Sequence, residues 1–281
     1  MQFSLHRDYR VWFLREWLTR LRRQAGLVCM LAAAMGASHF ALAAAFAIAP
    51  VTITLAPGSP TALLTVRNLG QDGVRIEVSV FRWQQKPNGD TVLTPTEDIV
   101  FFPEMLSLAP GESRNVRVGS VVAPGAAEKT YRLIFQQLPN FKKRTQSFEV
   151  QVLVRQSLPI FLEASLDPVT NGRIEGGRVS HGTLSFSVVN PGTRHFIVRV
   201  VRVTGFNSAG QQVFSRSTHG WYILAGGRRD YQLPLKGPDC LKSSRLRVEV
   251  ETGKQTLEGN FQSPAGACQA ATHLDPLAEP P

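Results

Sequence analysis

Apolar and polar residues alternate along most of the chain beyond its first fifty residues. The clearest run is Ser147 to Phe161, where Phe148, Val150, Val152 and Val154 fall at every second position, with Glu149, Gln151, Leu153 and Arg155 following each of them in turn. A period of two is the signature of a β-strand, whose successive side chains point to opposite faces. The four apolar residues would then line one continuous face, buried either in the protein's own core or against a partner. The same alternation marks Val74, Ile76, Val78 and Val80, and the step to Phe81 and Trp83 predicts a bulge that exchanges the two faces. Further strand patterns cover Val51 to Leu55, Leu63 to Arg67, Asn115 to Val118, Thr130 to Gln137 and His195 to Val203. Gly, Pro, Asn and Asp separate them, and Pro87-Asn88-Gly89-Asp90 reads as a hairpin turn. No amphipathic helix of three turns is expected here, so the fold class is all-β.

Two stretches echo one another. Leu64-Thr65-Val66-Arg67-Asn68-Leu69-Gly70 is answered by Phe186-Ser187-Val188-Val189-Asn190-Pro191-Gly192. Likewise Leu108-Ala109-Pro110-Gly111-Glu112 is answered by Leu224-Ala225-Gly226-Gly227-Arg228, which sets Gly111 opposite Gly227. A repeated unit of ordinary sandwich size predicts two β-sandwiches rather than one large barrel. The joint is expected between Leu162 and Asp167.

The N-terminal region changes the picture of where the protein works. Arg7, Arg10, Arg15, Arg20, Arg22 and Arg23 precede an uncharged run from Ala25 to Ala49 that contains Ala41-Leu42-Ala43-Ala44-Ala45. Basic region, apolar stretch and small-residue site together read as a secretory signal peptide, the competing reading being an uncleaved membrane anchor. The expected organisation is a signal peptide over 1–44, a first domain over 45–162, a second over 163–270, and a Pro-rich tail over 271–281 that lacks a strand pattern and is expected to be disordered. Losing the leader removes six arginines and two acidic residues, Asp8 and Glu16, and so lowers the formal charge of +10. The basic excess that remains is scattered without interleaved aromatics, and nucleic acid is not an expected partner. Cys29 leaves with the leader. Cys240 and Cys268 remain and most simply pair in an oxidising compartment, the alternative being two free thiols.

Catalytic chemistry is not written in the chain. His181, His195, His219 and His273 are far apart with no metal-ligand spacing. Gly253-Lys254-Gln255-Thr256 lacks the upstream glycine of a phosphate loop. Neither an enzyme nor a metal or other cofactor is expected.

Three blocks carry a specific resemblance. They are Phe101 to Glu112 (Phe-Phe-Pro-Glu-Met-Leu-Ser-Leu-Ala-Pro-Gly-Glu), Glu128 to Pro139 (Glu-Lys-Thr-Tyr-Arg-Leu-Ile-Phe-Gln-Gln-Leu-Pro) and Arg155 to Phe161 (Arg-Gln-Ser-Leu-Pro-Ile-Phe). In order and spacing they resemble the PapD-like periplasmic chaperones of pilus assembly, with the archaic or spore-coat-U-type chaperone–usher subgroup most similar. The resemblance implies two immunoglobulin-like sandwiches in an L or boomerang arrangement. It also implies pilin subunits and an outer-membrane usher as partners, without small-molecule substrate or cofactor, and self-capping dimers of the free protein. Phe148, Val150, Val152 and Val154 match the strand that such chaperones donate to a pilin. Better-studied members hold the pilin's C-terminal carboxylate with an Arg and a Lys, at places that here correspond to Thr52 and Pro159. Arg132 is the implied replacement and Arg155 a second candidate cation; ordinary surface or intramolecular ion-pair residues are the other reading of both. A secreted structural or adhesive β-sandwich, such as a pilus component, would carry the same leader and strands.

Overall fold

The computed structural model of the chain describes residues 46–139, 152–165, 167–263 and 266–268. The expected signal peptide, Phe148 and Val150, and the tail 271–281 lie outside the described residues. No helix among the described residues is long and apolar enough to cross a membrane.

The first sandwich begins with β1 (Phe46–Ala49), β2 (Ile53–Leu55), β3 (Thr61–Asn68), β4 (Val74–Gln85) and β5 (Thr91–Pro95). It continues with β6 (Ile99–Phe102), β7 (Met105–Leu108), β8 (Ser113–Ser120), β9 (Lys129–Gln137) and β10 (Arg155–Leu162). One sheet has the order β1-β3-β8-β6 and the other β2-β10-β9-β4-β5, with β7 also paired to β4. Their facing sides supply one core: Phe46, Leu64, Val66, Val116 and Val118 meet Ile76, Val78, Tyr131, Leu133, Phe135, Leu158 and Ile160. Alternation drives this arrangement, because each such strand has one apolar face to remove from water.

The second sandwich contains β11 (Arg173–Ser180), β12 (Thr183–Val189), β13 (Phe196–Phe206) and β14 (Gln212–His219). After β15 (Tyr222–Ile223) and β16 (Arg228–Pro234) come a short helix, α1 (Gly237–Lys242), and then β17 (Arg245–Thr252) and β18 (Thr256–Gln262). Its sheets run β11-β12-β16 and β14-β13-β17-β18, with β15 beside β13. Leu184, Phe186, Val188, Val201, Val203, Val248 and Val250 are among the residues of its separate core.

The internal echo is a repeated hydrogen-bonded device. The buried Asn68 amide donates to the carbonyls of Asp72, Leu108 and Ala109 and accepts from the Gly70 amide. The buried Asn190 amide donates to the carbonyls of Arg194, Ile223 and Leu224 and accepts from the Gly192 amide. Each asparagine staples its strand end to a tight turn, closed by Glu112 N to Ala109 O in one case and Gly227 N to Leu224 O in the other. The turns need a left-handed residue at the third position, filled by Gly111 (φ 75) and Gly226 (φ 66). The structural partner of Gly111 is therefore Gly226, one residue from the expected Gly227.

Two strand expectations are corrected. No bulge interrupts β4: its register with β9 runs unbroken from Ile76↔Gln137 to Arg82↔Tyr131, and with β5 from Phe81↔Pro95 to Gln85↔Thr91. Trp83 stays on the face opposite Val78, and that face is apolar here because Leu224 and Tyr222 of the second sandwich cover it. Of the long strand expected from Ser147, residues 147–151 lie outside the described residues, 152–154 have no strand conformation, and strand begins at Arg155. The reason is the partner: β9 ends at Gln137, and Arg155 already pairs with Gln136. Alternation without a neighbour to complete the ladder does not make a strand.

Cys240 and Cys268 form a disulfide. It ties α1 to the chain beyond β18. Replacing both cysteines with serine is expected to lower unfolding free energy by about 3 kcal/mol, read by urea titration. Asn190→Ala should lower it by roughly 1–3 kcal/mol because buried carbonyls lose their donor, and Asn68→Ala by a similar amount in the other sandwich.

Candidate functional site

The site is built on β10, which is bonded unequally along its two edges. One edge pairs with β9 along the whole strand, from Arg155↔Gln136 to Leu162↔Lys129. The other pairs with β2 only over Ile160↔Ile53 to Leu162↔Leu55. From Arg155 to Pro159, no strand among the described residues occupies that second edge. Upstream, Val154 packs partly against the first core, and its carbonyl accepts from the Gln137 amide. Val152, two residues further, is 77% exposed. The apolar row thus leaves the sandwich between these two valines. Even-numbered residues of β10 (Leu158, Ile160 and Leu162) face the core, which is the side Val154 also meets.

On the opposite face of the same sheet, Arg132 of β9 points into a cleft covered by the second sandwich. It is only 7% exposed. Its guanidinium carbon stands 3.6 Å from the centroid of the Trp83 ring and 6.0 Å from that of Tyr222. Burial holds its pKa below the ordinary arginine value, partly countered by Tyr222, but a guanidinium stays protonated in proteins. Among the described residues it makes no ion pair and no hydrogen bond. A buried charge without a counter-charge is costly, and the indole face offsets part of that, at about 2 kcal/mol for a desolvated cation.

The two candidate cations are not brought together. Pro159 lies directly across from Arg132, while Thr52 precedes Ile53, the partner of Ile160 on the other edge of β10, so of the two family positions only Pro159 adjoins Arg132. Arg155 pairs with Gln136, four residues along β9, or about 13 Å at strand rise. It is exposed. A single small anion would therefore meet Arg132, with Arg155 reaching a different part of any partner.

Several cleft residues carried no local signal. The side chain of Glu128 is buried; its Oε1 is hydrogen-bonded at 2.7 Å to His195 Nδ1 of the second sandwich, while its Oε2 has no partner. His195 also stacks on Phe161, with ring centroids 3.7 Å apart. Arg194 pairs with Glu163 at 3.2 Å. Gln85 Nε2 donates to Tyr222 O at 3.0 Å, and the Leu224 amide donates to Gln85 Oε1 at 3.3 Å. Trp83 is fixed in turn, its carbonyl accepting from Thr130 Oγ1 at 2.7 Å. Its indole N–H is buried without an acceptor, which costs about 1–3 kcal/mol. His195 reads as an isolated histidine in sequence because its partner is 67 positions away.

Residues 45–165 match the family model described as pili and flagellar-assembly chaperone, PapD N-terminal domain. No curated protein matches the chain. Among solved structures, the CsuC–CsuE chaperone–tip subunit pre-assembly complex of the archaic chaperone–usher Csu pili of Acinetobacter baumannii is similar. The TM-score is 0.52 at 18% identity, covering 77% of this chain and 98% of that one. The Salmonella enterica complex of SafA pilin with the SafB chaperone gives a TM-score of 0.51 at 12% identity, covering 77% and 96%. The class 5 fimbriae chaperone CfaA gives 0.50 at 15% identity, covering 76% and 98%. At these identities the likeness is one of fold. The first sandwich, through residues 45–165, is similar to the PapD N-terminal domain of the pili and flagellar-assembly chaperones.

Proposed function

We propose that the protein is a periplasmic chaperone that completes pilin subunits by lending them a strand and hands them to an outer-membrane usher, as in the archaic chaperone–usher subgroup. The observation that carries this reading is the edge of β10 from Arg155 to Pro159, which has no partner strand among the described residues and continues upstream into a half-buried Val154 and an exposed Val152. A pilin lacking its last strand exposes an apolar groove and a row of unpaired backbone groups. An added strand satisfies both, with backbone hydrogen bonds for affinity and alternate side chains for fit. Phe148, Val150, Val152 and Val154 are the proposed knobs. Each contributes roughly 1.5–3 kcal/mol if fully buried, before the losses of ordering both partners.

Arg132 is the proposed anchor for the pilin's terminal carboxylate. A guanidinium offers two parallel donors matched to a carboxylate, and in this cleft it has no internal carboxylate partner among the described residues. Arg155 would touch the bound subunit elsewhere along the open edge. The CsuC and SafB structures, each a chaperone in complex with a subunit, support pilins as the partner class. The leader pattern and the disulfide support the periplasm. The same open edge would let two free copies cap each other.

The test is co-purification of the tagged protein from periplasmic extract, with bound proteins identified by mass. A pilin-like subunit should accompany the wild type and be depleted more than tenfold with Arg132→Ala, since losing one partner of a buried charge pair weakens binding by about 2–5 kcal/mol. Val152→Asp should deplete it as well. A wild type that brings down no subunit from an extract containing pilins would overturn the reading.

A further inference from the structure

We propose that Trp83 is a positioning residue for the Arg132 anchor, holding the guanidinium flat and aimed so that recognition of a carboxylate depends on an aromatic platform in place of a second cation. This rests on the anchor reading above.

Trp83, Tyr222 and Phe161 pack against one another as the aromatic walls of the cleft. Tyr222 meets Trp83 edge-on at 5.5 Å, and Phe161 lies 6.3 Å from Trp83 and 5.7 Å from Tyr222. Aromatic faces of this kind attract cations. Here the cation is the protein's own Arg132, 3.6 Å over the indole and 6.0 Å from the Tyr222 ring. The walls are held from both sandwiches: Gln85 of β4 grips the backbone at Tyr222 and Leu224, and Thr130 of β9 grips the Trp83 carbonyl. The nearby buried carboxylate, Glu128, is engaged by His195 and does not take the arginine.

Stacking leaves the in-plane N–H edge of a guanidinium available, and that edge is the one that pairs bidentately with a carboxylate. A cation already fixed in one orientation loses little freedom on binding. Packing alone does not explain an indole at this position, because its N–H finds no acceptor while phenylalanine would bring no such donor. What the indole adds is the strongest aromatic face for a cation.

The test compares wild type, Trp83→Phe and Trp83→Leu by titration with two forms of an acetylated peptide of alternating valine and threonine. One ends in a free carboxylate and the other in an amide. Wild type should favour the carboxylate. Trp83→Leu should shrink that preference about tenfold and Trp83→Phe by less, both with unchanged affinity for the amide. An unchanged preference in both variants, or equal weakening toward the two peptides, would overturn the proposal; if Trp83→Leu fails to fold, the Trp83→Phe ratio decides. A wild type that does not distinguish the peptides, including one that binds neither, instead removes the Arg132 anchor on which the proposal rests.

Discussion

A β-strand bonded fully along one edge and only in part along the other is the constraint around which this protein is arranged. β10 is fully laddered to β9, yet β2 covers just its last three residues. From Arg155 to Pro159 that second edge has no partner strand among the described residues. Exposed edges invite pairing with other chains, and proteins generally shorten, bulge or charge them. Here the edge carries Arg155 and Pro159, and it is followed upstream by Val154 and the exposed Val152. The first core anchors the strand through Leu158, Ile160 and Leu162, so the edge is held rigidly even where it is unpaired.

The cleft has the complementary character. Its face of the sheet is aromatic, through Trp83 and Phe161, where the second sandwich covers it. Interactions across the joint are specific and distributed: Glu128 with His195, Glu163 with Arg194, Gln85 with the Tyr222 and Leu224 backbone, and the Pro87 carbonyl with the Asp230 amide. They leave one buried cation without a countercharge among the described residues. Arg132 is therefore stabilised chiefly by aromatic faces, and an anion that met it would meet a site already largely desolvated.

Much of the fold was legible because alternation and turn residues are local. The two asparagines and their glycine turns announced a repeat, and the structure resolves them into matched hydrogen-bond clusters displaced by one residue from the expected alignment. The failures came where partners decide. Ser147 to Val154 has a strand pattern, but from Val152 to Val154 no strand among the described residues pairs with it. Trp83 suggested a bulge because its face should have been solvated, and no local pattern says that another sandwich will cover it. Arg132 was singled out by resemblance to a family motif, whereas Trp83, Tyr222 and Gln85 come together from distant parts of the chain and became visible only in three dimensions.

The most direct measurement of the central claim is backbone hydrogen exchange along Val152 to Leu158, in the free protein and with a bound pilin subunit. The account predicts that amides on the open edge of β10 exchange readily in the free protein and become strongly protected in the complex, while those of the β9 ladder are protected in both. A bound subunit that leaves the open-edge amides exchanging as they do in the free protein would contradict it.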